Sequence, residues 1–261
     1  MTESASADVS VSQSNGVLEV RFNRPTKKNA ITLAMYAVIA KALEDANGNA
    51  EVRAVLFTAA GETFSSGNDI MDFASAGANF EGTPQARLLE AFVAFEKPLV
   101  AAVHGPAIGI GATMLLHCDL VYASETARLR MPFVSLGLVP EAASSLLLPK
   151  RVGQAVAAEM LLLGAWVEAA RALQLGLVNA VVPATDLEAT ARAKAGELAA
   201  LPPNALRTTR ALLRGEADRN AIRERIRDEG VHFAKALGSA EAREAFTAFV
   251  ERRTPDFSKL S

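Results

Sequence analysis

The chain has 261 residues, with 27 basic against 29 acidic side chains and a formal net charge of −2, so a strongly cationic nucleic-acid binder is excluded. Half of the residues are hydrophobic, and a chain of this length can bury roughly three quarters of its unfolded surface in one compact core. Its single cysteine, Cys118, can form neither an intramolecular disulfide nor a thiolate metal site by itself, which points to a reducing compartment. The start carries Glu3 and Asp8 without a basic cluster or apolar run, so residues 1–8 read as a mobile polar tail rather than a signal peptide. Near the end, Ser261 follows Ser258-Lys259-Leu260 and spoils what would otherwise be a peroxisomal tag, leaving the cytoplasm as the expected location.

Val9 to Ser14 and Val17 to Phe22 alternate around Asn15-Gly16, a dipeptide suited to a two-residue hairpin. Thr32 can cap a helix to about Ala46, with Leu33, Tyr36, Ile39, Ala40 and Leu43 at helical spacings. Val52 to Thr58, Leu99 to Val103, Leu120 to Tyr122 and Val178 to Val182 read as short buried strands, giving a recurring strand, turn and helix. Pro98 to Cys118 holds no Asp, Glu, Lys or Arg, long enough for a bilayer, but His104, Gly105, Pro106, Gly109 and Gly111 break it into a strand, a turn and a buried helix; no membrane span is expected. Pro202-Pro203-Asn204 marks a helix start and the boundary between an α/β core and a helical C-terminal region. In that region acidic residues interleave with Arg207 through Arg227 at helix-pairing distances, as on a solvated helical face.

His104, His117 and His232 are dispersed without metal-ligand spacing, so no metal is expected. No G-x-S-x-G elbow occurs, and Gly109-Ile110-Gly111 lacks the third glycine of a dinucleotide fingerprint, Met114 standing in its place. Two glycine-centred turns, Phe64 to Ile70 and His104 to Gly111, each follow an apolar strand. They are either plain turns or two halves of one oxyanion hole, where backbone amides converge on a developing negative oxygen. Between Arg130 and Lys150 lie 19 residues in which Glu141 is the sole ionisable group. It is either an acidic residue in the first turn of a helix after Pro140, or a base whose pKa is raised by Leu136, Leu138, Val139 and the Leu146-Leu147-Leu148 run. Asn68-Asp69 reads only as a polar cap for the next short helix.

Taken together, Asn23-Arg24-Pro25 with Lys28-Asn29-Ala30, Phe64 to Asp69, Lys97-Pro98 through Gly111, Cys118 to Ala123 and Ala172 through Val182 resemble, in order, the crotonase (enoyl-CoA hydratase/isomerase) superfamily. The resemblance implies an α/β fold of the ClpP/crotonase type, with repeated β-β-α units over residues 9–200 and a helical region, residues 201–261, used in trimerisation or in a dimer of trimers. It also implies an acyl-CoA thioester substrate with no further cofactor, and no nucleic-acid partner. By the same resemblance the thioester oxygen is held by the N–H groups of Ser66 and Ile110, and CoA by Lys27, Lys28, Asn29, Ala30, Ser66, Asn68, Asp69 and Ile70.

The positions of the two hydratase glutamates read Thr113 and Phe133, which argues against efficient hydration. Met131 to Ser145 instead resembles the segment that carries the lone glutamate of peroxisomal-type Δ3,Δ2-enoyl-CoA isomerases, and Glu141 is the residue that maps. One base suffices for that reaction, because it takes a proton from C2 and returns it to C4. A weak hydratase, an acyl-CoA hydrolase and a non-catalytic acyl-CoA binder are the alternatives.

Overall fold

A computed structural model describes residues 8–70, 72, 80–258 and 260. Nearly all of the expected N-terminal tail, and Lys259 and Ser261 of the C-terminal tetrapeptide, lie outside the described residues.

The chain opens with the antiparallel hairpin β1 (Val9–Ser14) and β2 (Val17–Phe22), in which Val9 faces Phe22 and Ser14 faces Val17. Asn15 and Gly16 both have positive φ, 48° and 76°, the conformation a two-residue primed turn requires. A 3-10 turn (Pro25–Lys27) leads to α1 (Leu33–Gly48), whose first turn is capped by Thr32 accepting from the Met35 N–H at 3.2 Å. β3 (Ala54–Ala59), α2 (Pro84–Ala94), β4 (Leu99–Val103), β5 (Pro106–Ile108), α3 (Ile110–Thr113), β6 (Leu120–Ser124) and β7 (Arg128–Arg130) follow. Then come α4 (Ser144–Val152), α5 (Gln154–Leu162), β8 (Val167–Glu168), α6 (Ala169–Gln174), β9 (Ala180–Val182) and α7 (Leu187–Ala200). The last helices are α8 (Pro203–Leu213), α9 (Glu216–Leu237) and α10 (Ala240–Glu251).

The larger sheet runs β1-β2-β3-β4-β6-β9, parallel from β2 onward; the smaller runs β5-β7-β8. Twice the chain leaves the large sheet and enters the small one before the next helical segment, from β4 to β5 and from β6 to β7. This is the expected repeating α/β architecture. The central strands are covered on both faces, as parallel strands must be. Val55, Phe57 and Ala59 of β3 enter the main core, while Leu56 meets Val100 and Ala102 under α7, through Leu187, Ala191 and Ala195. Phe22, Phe57, Phe64 and Phe92 form a chain of tilted rings with centroids 5.4 to 6.4 Å apart. Each is buried, which stabilises the fold by about 1.5–3 kcal/mol per ring relative to exposure.

The segment 98–118 forms β4, β5, α3 and a 3-10 turn (Met114–His117); β4 and residues 110–118 are buried, and β5 is partly so. Among the described residues no helix is long and apolar enough to cross a membrane. Arg207 and Arg227 are exposed, as on the expected solvated face, but Arg210 and Arg214 depart from it. Arg214 turns inward and donates to the carbonyls of His117 at 2.9 Å, Leu116 and Cys118, while Arg210 pairs with Asp119 at 2.8 Å and reaches the Phe95 carbonyl. Ile222, Ile226 and Phe233 of α9 and Ala242 of α10 join the same apolar cluster as the sheet.

Candidate active site

The two glycine turns lie against each other. Ser65 bridges Ala107, the Ile108 N–H donates to the Ser65 carbonyl at 2.9 Å, and a Cβ on Gly67 would stand 3.0 Å from the Ile108 carbonyl oxygen. Gly67, at φ +93°, is therefore required both by its conformation and by the close approach. A Cβ on Gly111 would meet the Ser65 side chain at 2.7 Å, so α3 begins directly on the first turn. Ile110, the first residue of α3, has no acceptor one turn back, and its N–H has no partner among the described residues.

The expected partner amide needs correction. The Ser66 N–H donates to the Lys28 carbonyl at 3.0 Å and is not open to a ligand. Two residues on, Ile31 pairs with Asn68 in the parallel sense, its N–H going to Gly67 O and its carbonyl accepting from Asp69 N. That pattern turns the Asn68 N–H away from Ile31, and it has no partner among the described residues. Which amide of the turn stays open is set by its pairing with Lys28 and Ile31, residues outside Ser65-Ser66-Gly67-Asn68.

Beside the Ile110 amide lies an apolar cavity bounded by Tyr36 of α1, Leu89 of α2, Ile110 of α3 and Ile226 and Phe233 of α9. Two carboxyl groups enter it, Glu141 and Glu229. Glu141 is half-buried as a residue, but its Oε1 is sealed from solvent and has no hydrogen-bond partner among the described residues. Burial first, and then the negative charge of Glu229, push its pKa up to about 8, against the opposing effect of a hydrogen bond from Asn68. The Tyr36 hydroxyl donates to Asn68 Oδ1 at 2.6 Å, which leaves the Asn68 amide nitrogen for Glu141. Asn68 thus holds the carboxylate as well as flanking the turn.

Glu141 does not lie in the first turn of a helix. After it come Ala142 and Ala143, both left-handed at φ 59° and 55°, and α4 starts only at Ser144. The expected helix-terminus stabilisation is therefore missing from Glu141 itself, and desolvation prevails. Two consecutive left-handed alanines cost on the order of 1–2 kcal/mol each, so the surroundings must hold them. His117 Nε2 lies 2.8 Å from the Ala142 carbonyl, and Glu229 accepts from the N–H of Ala143 at 2.6 Å and from the N–H and hydroxyl of Ser145 at 2.9 and 2.5 Å. To donate to that carbonyl His117 carries its proton on Nε2; burial lowers its pKa to about 4 and keeps it neutral.

The enoyl-CoA hydratase/isomerase family model matches residues 12–259. The chain belongs to the enoyl-CoA hydratase/isomerase family. Enoyl-CoA delta isomerase 2 of Rattus norvegicus is 42% identical over 215 residues, 80% of this chain and 55% of that protein, so the chain spans only about half of that relative's length. The 2,3-dehydroadipyl-CoA hydratase of Escherichia coli (strain K12) is 32% identical over 96% of this chain and 98% of its own. Among solved structures, an enoyl-CoA hydratase/isomerase from Pseudoalteromonas atlantica T6c superposes with a TM-score of 0.91 at 46% identity, covering 96% of this chain and 99% of the other.

The residues expected to hold CoA in this hydratase/isomerase family member gather on one rim. Lys27 and Lys28 are exposed on the 3-10 turn, and that turn abuts Ser66 through the Lys28 carbonyl. Ala30, Ser66, Asn68, Asp69 and Ile70 are all half-buried beside it. Asn29 is the exception and a second correction: it is fully buried, its Oδ1 accepts from Arg24 N at 2.8 Å, and its amide donates to the carbonyls of Ala60 and Thr63. It ties the turn to the sheet and offers no side-chain group to a ligand. Asp69 pairs with Arg24 at 2.7 Å and accepts from Asp72 N, the capping role anticipated for it. Thr113 and Phe133 are buried, and neither bounds the cavity. Glu229 was missed altogether, because in sequence it is one acid among five between Glu216 and Glu229.

Proposed function

We propose that the protein is a Δ3,Δ2-enoyl-CoA isomerase of fatty acid oxidation, shifting the double bond of a 3-enoyl-CoA to the 2-trans position with Glu141 as its single acid/base. The observation that carries this reading is the sealed, unpartnered Oε1 of Glu141 in an apolar cavity bordered by Ile110. The thioester oxygen accepts from the N–H groups of Asn68 and Ile110. Ionised Glu141 removes a proton from C2, the electron pair moves through C1 to that oxygen, and a dienolate forms. The resulting carboxylic acid returns the proton to C4, the C2–C3 double bond forms, and no atom is gained or lost. An apolar cavity keeps water from the dienolate.

Hydration is the second reading, favoured by the near full-length likeness to the E. coli hydratase. It calls for a second carboxyl free to hold water, whereas both oxygens of Glu229 are engaged by Ala143 and Ser145. The decisive experiment follows conjugation of trans-3-hexenoyl-CoA beside hydration of crotonyl-CoA. Fast conjugation with little hydration is expected, and Glu141→Gln should lose about 10²–10⁴-fold of the conjugation rate. A variant that conjugates at the wild-type rate overturns the assignment.

Lys27 and Lys28 suit the phosphates of CoA by charge, and the reading requires no cofactor beyond the CoA of the substrate. We extend it to a cytoplasmic protein that self-associates as a trimer or a pair of trimers through residues 201–261, where Leu212, Leu213, Phe249 and Val250 are exposed. Sedimentation velocity reads that assembly directly.

A further inference from the structure

Glu229 has no part in the proposed proton transfer, yet the structure spends a buried carboxylate on it. Its Oε2 accepts from Ala143 N at 2.6 Å, and its Oε1 accepts from Ser145 N at 2.9 Å and Ser145 Oγ at 2.5 Å. Arg225, one turn earlier on α9, donates to the same Ser145 hydroxyl at 3.0 Å. Every hydrogen in this chain, from Arg225 through Ser145 to Glu229, points toward the carboxylate, an arrangement that matches the ionised form. What it grips is the strained pair Ala142-Ala143, immediately after Glu141.

Packing alone gives no reason for this choice. An apolar residue at position 229 would fill the space without desolvating a charge, but it would leave the N–H groups of Ala143 and Ser145 unmet and let the left-handed turn relax. The price of the buried charge is accepted at the one place where the direction of Glu141 is set. Around the cavity, Glu229 faces Glu141 from the loop before α4, Ser145 from α4, Gln85 from α2 and Arg225 on its own helix; Tyr36 of α1 and Asn68 face Glu141.

We propose that Glu229 is a positioning residue for Glu141: its two oxygens clamp the 142–145 turn that aims Glu141 into the cavity, and its negative charge borders the same cavity. The inference rests on the reading of Glu141 as the base, but its consequences at Glu141 can be measured without turnover. With Glu229 ionised, Glu141 holds its proton to a higher pH than burial alone would cause. Removing the charge lowers that midpoint, and loosening the clamp lowers kcat.

The test is an isotope-edited infrared titration of the full-length protein carrying 13C-carboxyl glutamate, with the Glu141 band identified as the one lost in Glu141→Gln. In Glu229→Gln the Glu141 midpoint should fall by about one pH unit or more. In Glu229→Asp, which keeps the charge but shortens the reach, the midpoint should stay near that of the wild type. Both variants should lose about 10²-fold in kcat for 3-enoyl-CoA conjugation with KM held, the scale of a base displaced by about 1 Å. A folded Glu229→Gln protein with an unmoved Glu141 midpoint overturns the proposal. So does a pair of variants that lose thermal stability while kcat and the midpoint stay put. Should Glu229→Gln fail to fold, Ser145→Ala removes one donor and the link to Arg225, so Glu229 takes up a proton more readily and the Glu141 midpoint should fall by a smaller amount; an unmoved midpoint there is equally fatal. If the wild type conjugates nothing, the isomerase reading fails and the titration still judges Glu229.

Discussion

A carboxyl group that holds its proton to about pH 8 is a stronger base than an exposed glutamate and is less often ionised at neutral pH. Because abstraction at C2 needs the ionised form, kcat/KM for conjugation should rise with pH and level off above about 8, an acidic limb that a pH–rate profile reads directly. The same group couples to folding. Its folded pKa lies above the ordinary value of 4.5, so its contribution to stability is complete below about 4.5 and is lost as pH rises through about 8. Glu141→Gln should therefore gain in melting temperature over wild type at pH 9 and not at pH 4.5, as parallel thermal melts can establish. His117 has the opposite sign. With its folded pKa depressed to about 4, its contribution is present above 6.5 and is lost as pH falls through 4, so urea midpoints should drop across that interval and drop less in His117→Gln. Glu141 stood out in the sequence as the only ionisable residue of its stretch, and its desolvation followed from its leucine neighbours. Asn68 carried no such signal, because its role depends on Tyr36 arriving from another helix.

Among the elements, those whose structure is set by neighbouring residues were legible. Asn15-Gly16 dictated the hairpin turn, Thr32 the start of α1, and Pro203 the first turn of α8. β5, β7 and β8, of three, three and two residues, were not, because so short a strand has no periodicity and exists only by pairing with distant partners. The left-handed pair Ala142-Ala143 was illegible for a related reason: alanine has no local preference for that region, and Glu229 and His117 impose it from outside. The two glycine turns depend on close contact between elements. Gly67→Ala combines an unfavourable φ of +93° with a Cβ at 3.0 Å from the Ile108 carbonyl, and should cost on the order of 1–3 kcal/mol in a urea melt. It should also lower kcat more than KM, since it moves the Asn68 amide relative to Ile110.

At the scale of the molecule, the C-terminal helices and the α/β core share one set of contacts. Arg214 satisfies the carbonyls at the end of the 3-10 turn 114–117, Arg210 reaches Asp119 at the start of β6, and Gly137 packs so tightly on α10 that a Cβ there would lie 2.6 Å from Ala242 N. The helices should therefore not melt ahead of the sheet. Arg214→Ala should lower stability by about 1–3 kcal/mol, because it takes the side-chain donor from the buried His117 carbonyl, while Arg151 still reaches the carbonyls of Leu116 and Cys118. Trp166, the only tryptophan and stacked under Arg128 at 4.3 Å, should report the same midpoint by fluorescence as far-UV circular dichroism does for the helices. A helical signal that disappears at lower urea than the Trp166 signal would separate the two parts and contradict this reading.

What depends on nearest neighbours and on burial pattern was readable in the residues alone: the hairpin, the capped first helix, the buried central strands and an isolated glutamate among leucines. The sequence also carried enough ordered motifs to resemble the enoyl-CoA hydratase/isomerase family, to which the chain belongs. Long-range packing sets which amide at the first turn is open, ties Asn29 to the sheet, and brings Glu229, 88 residues beyond Glu141, into the same cavity. Those outcomes are set by hydrogen bonds and charges between segments far apart in the chain, and the identity of an acceptor across such a gap is fixed by packing geometry, not by local residue preference.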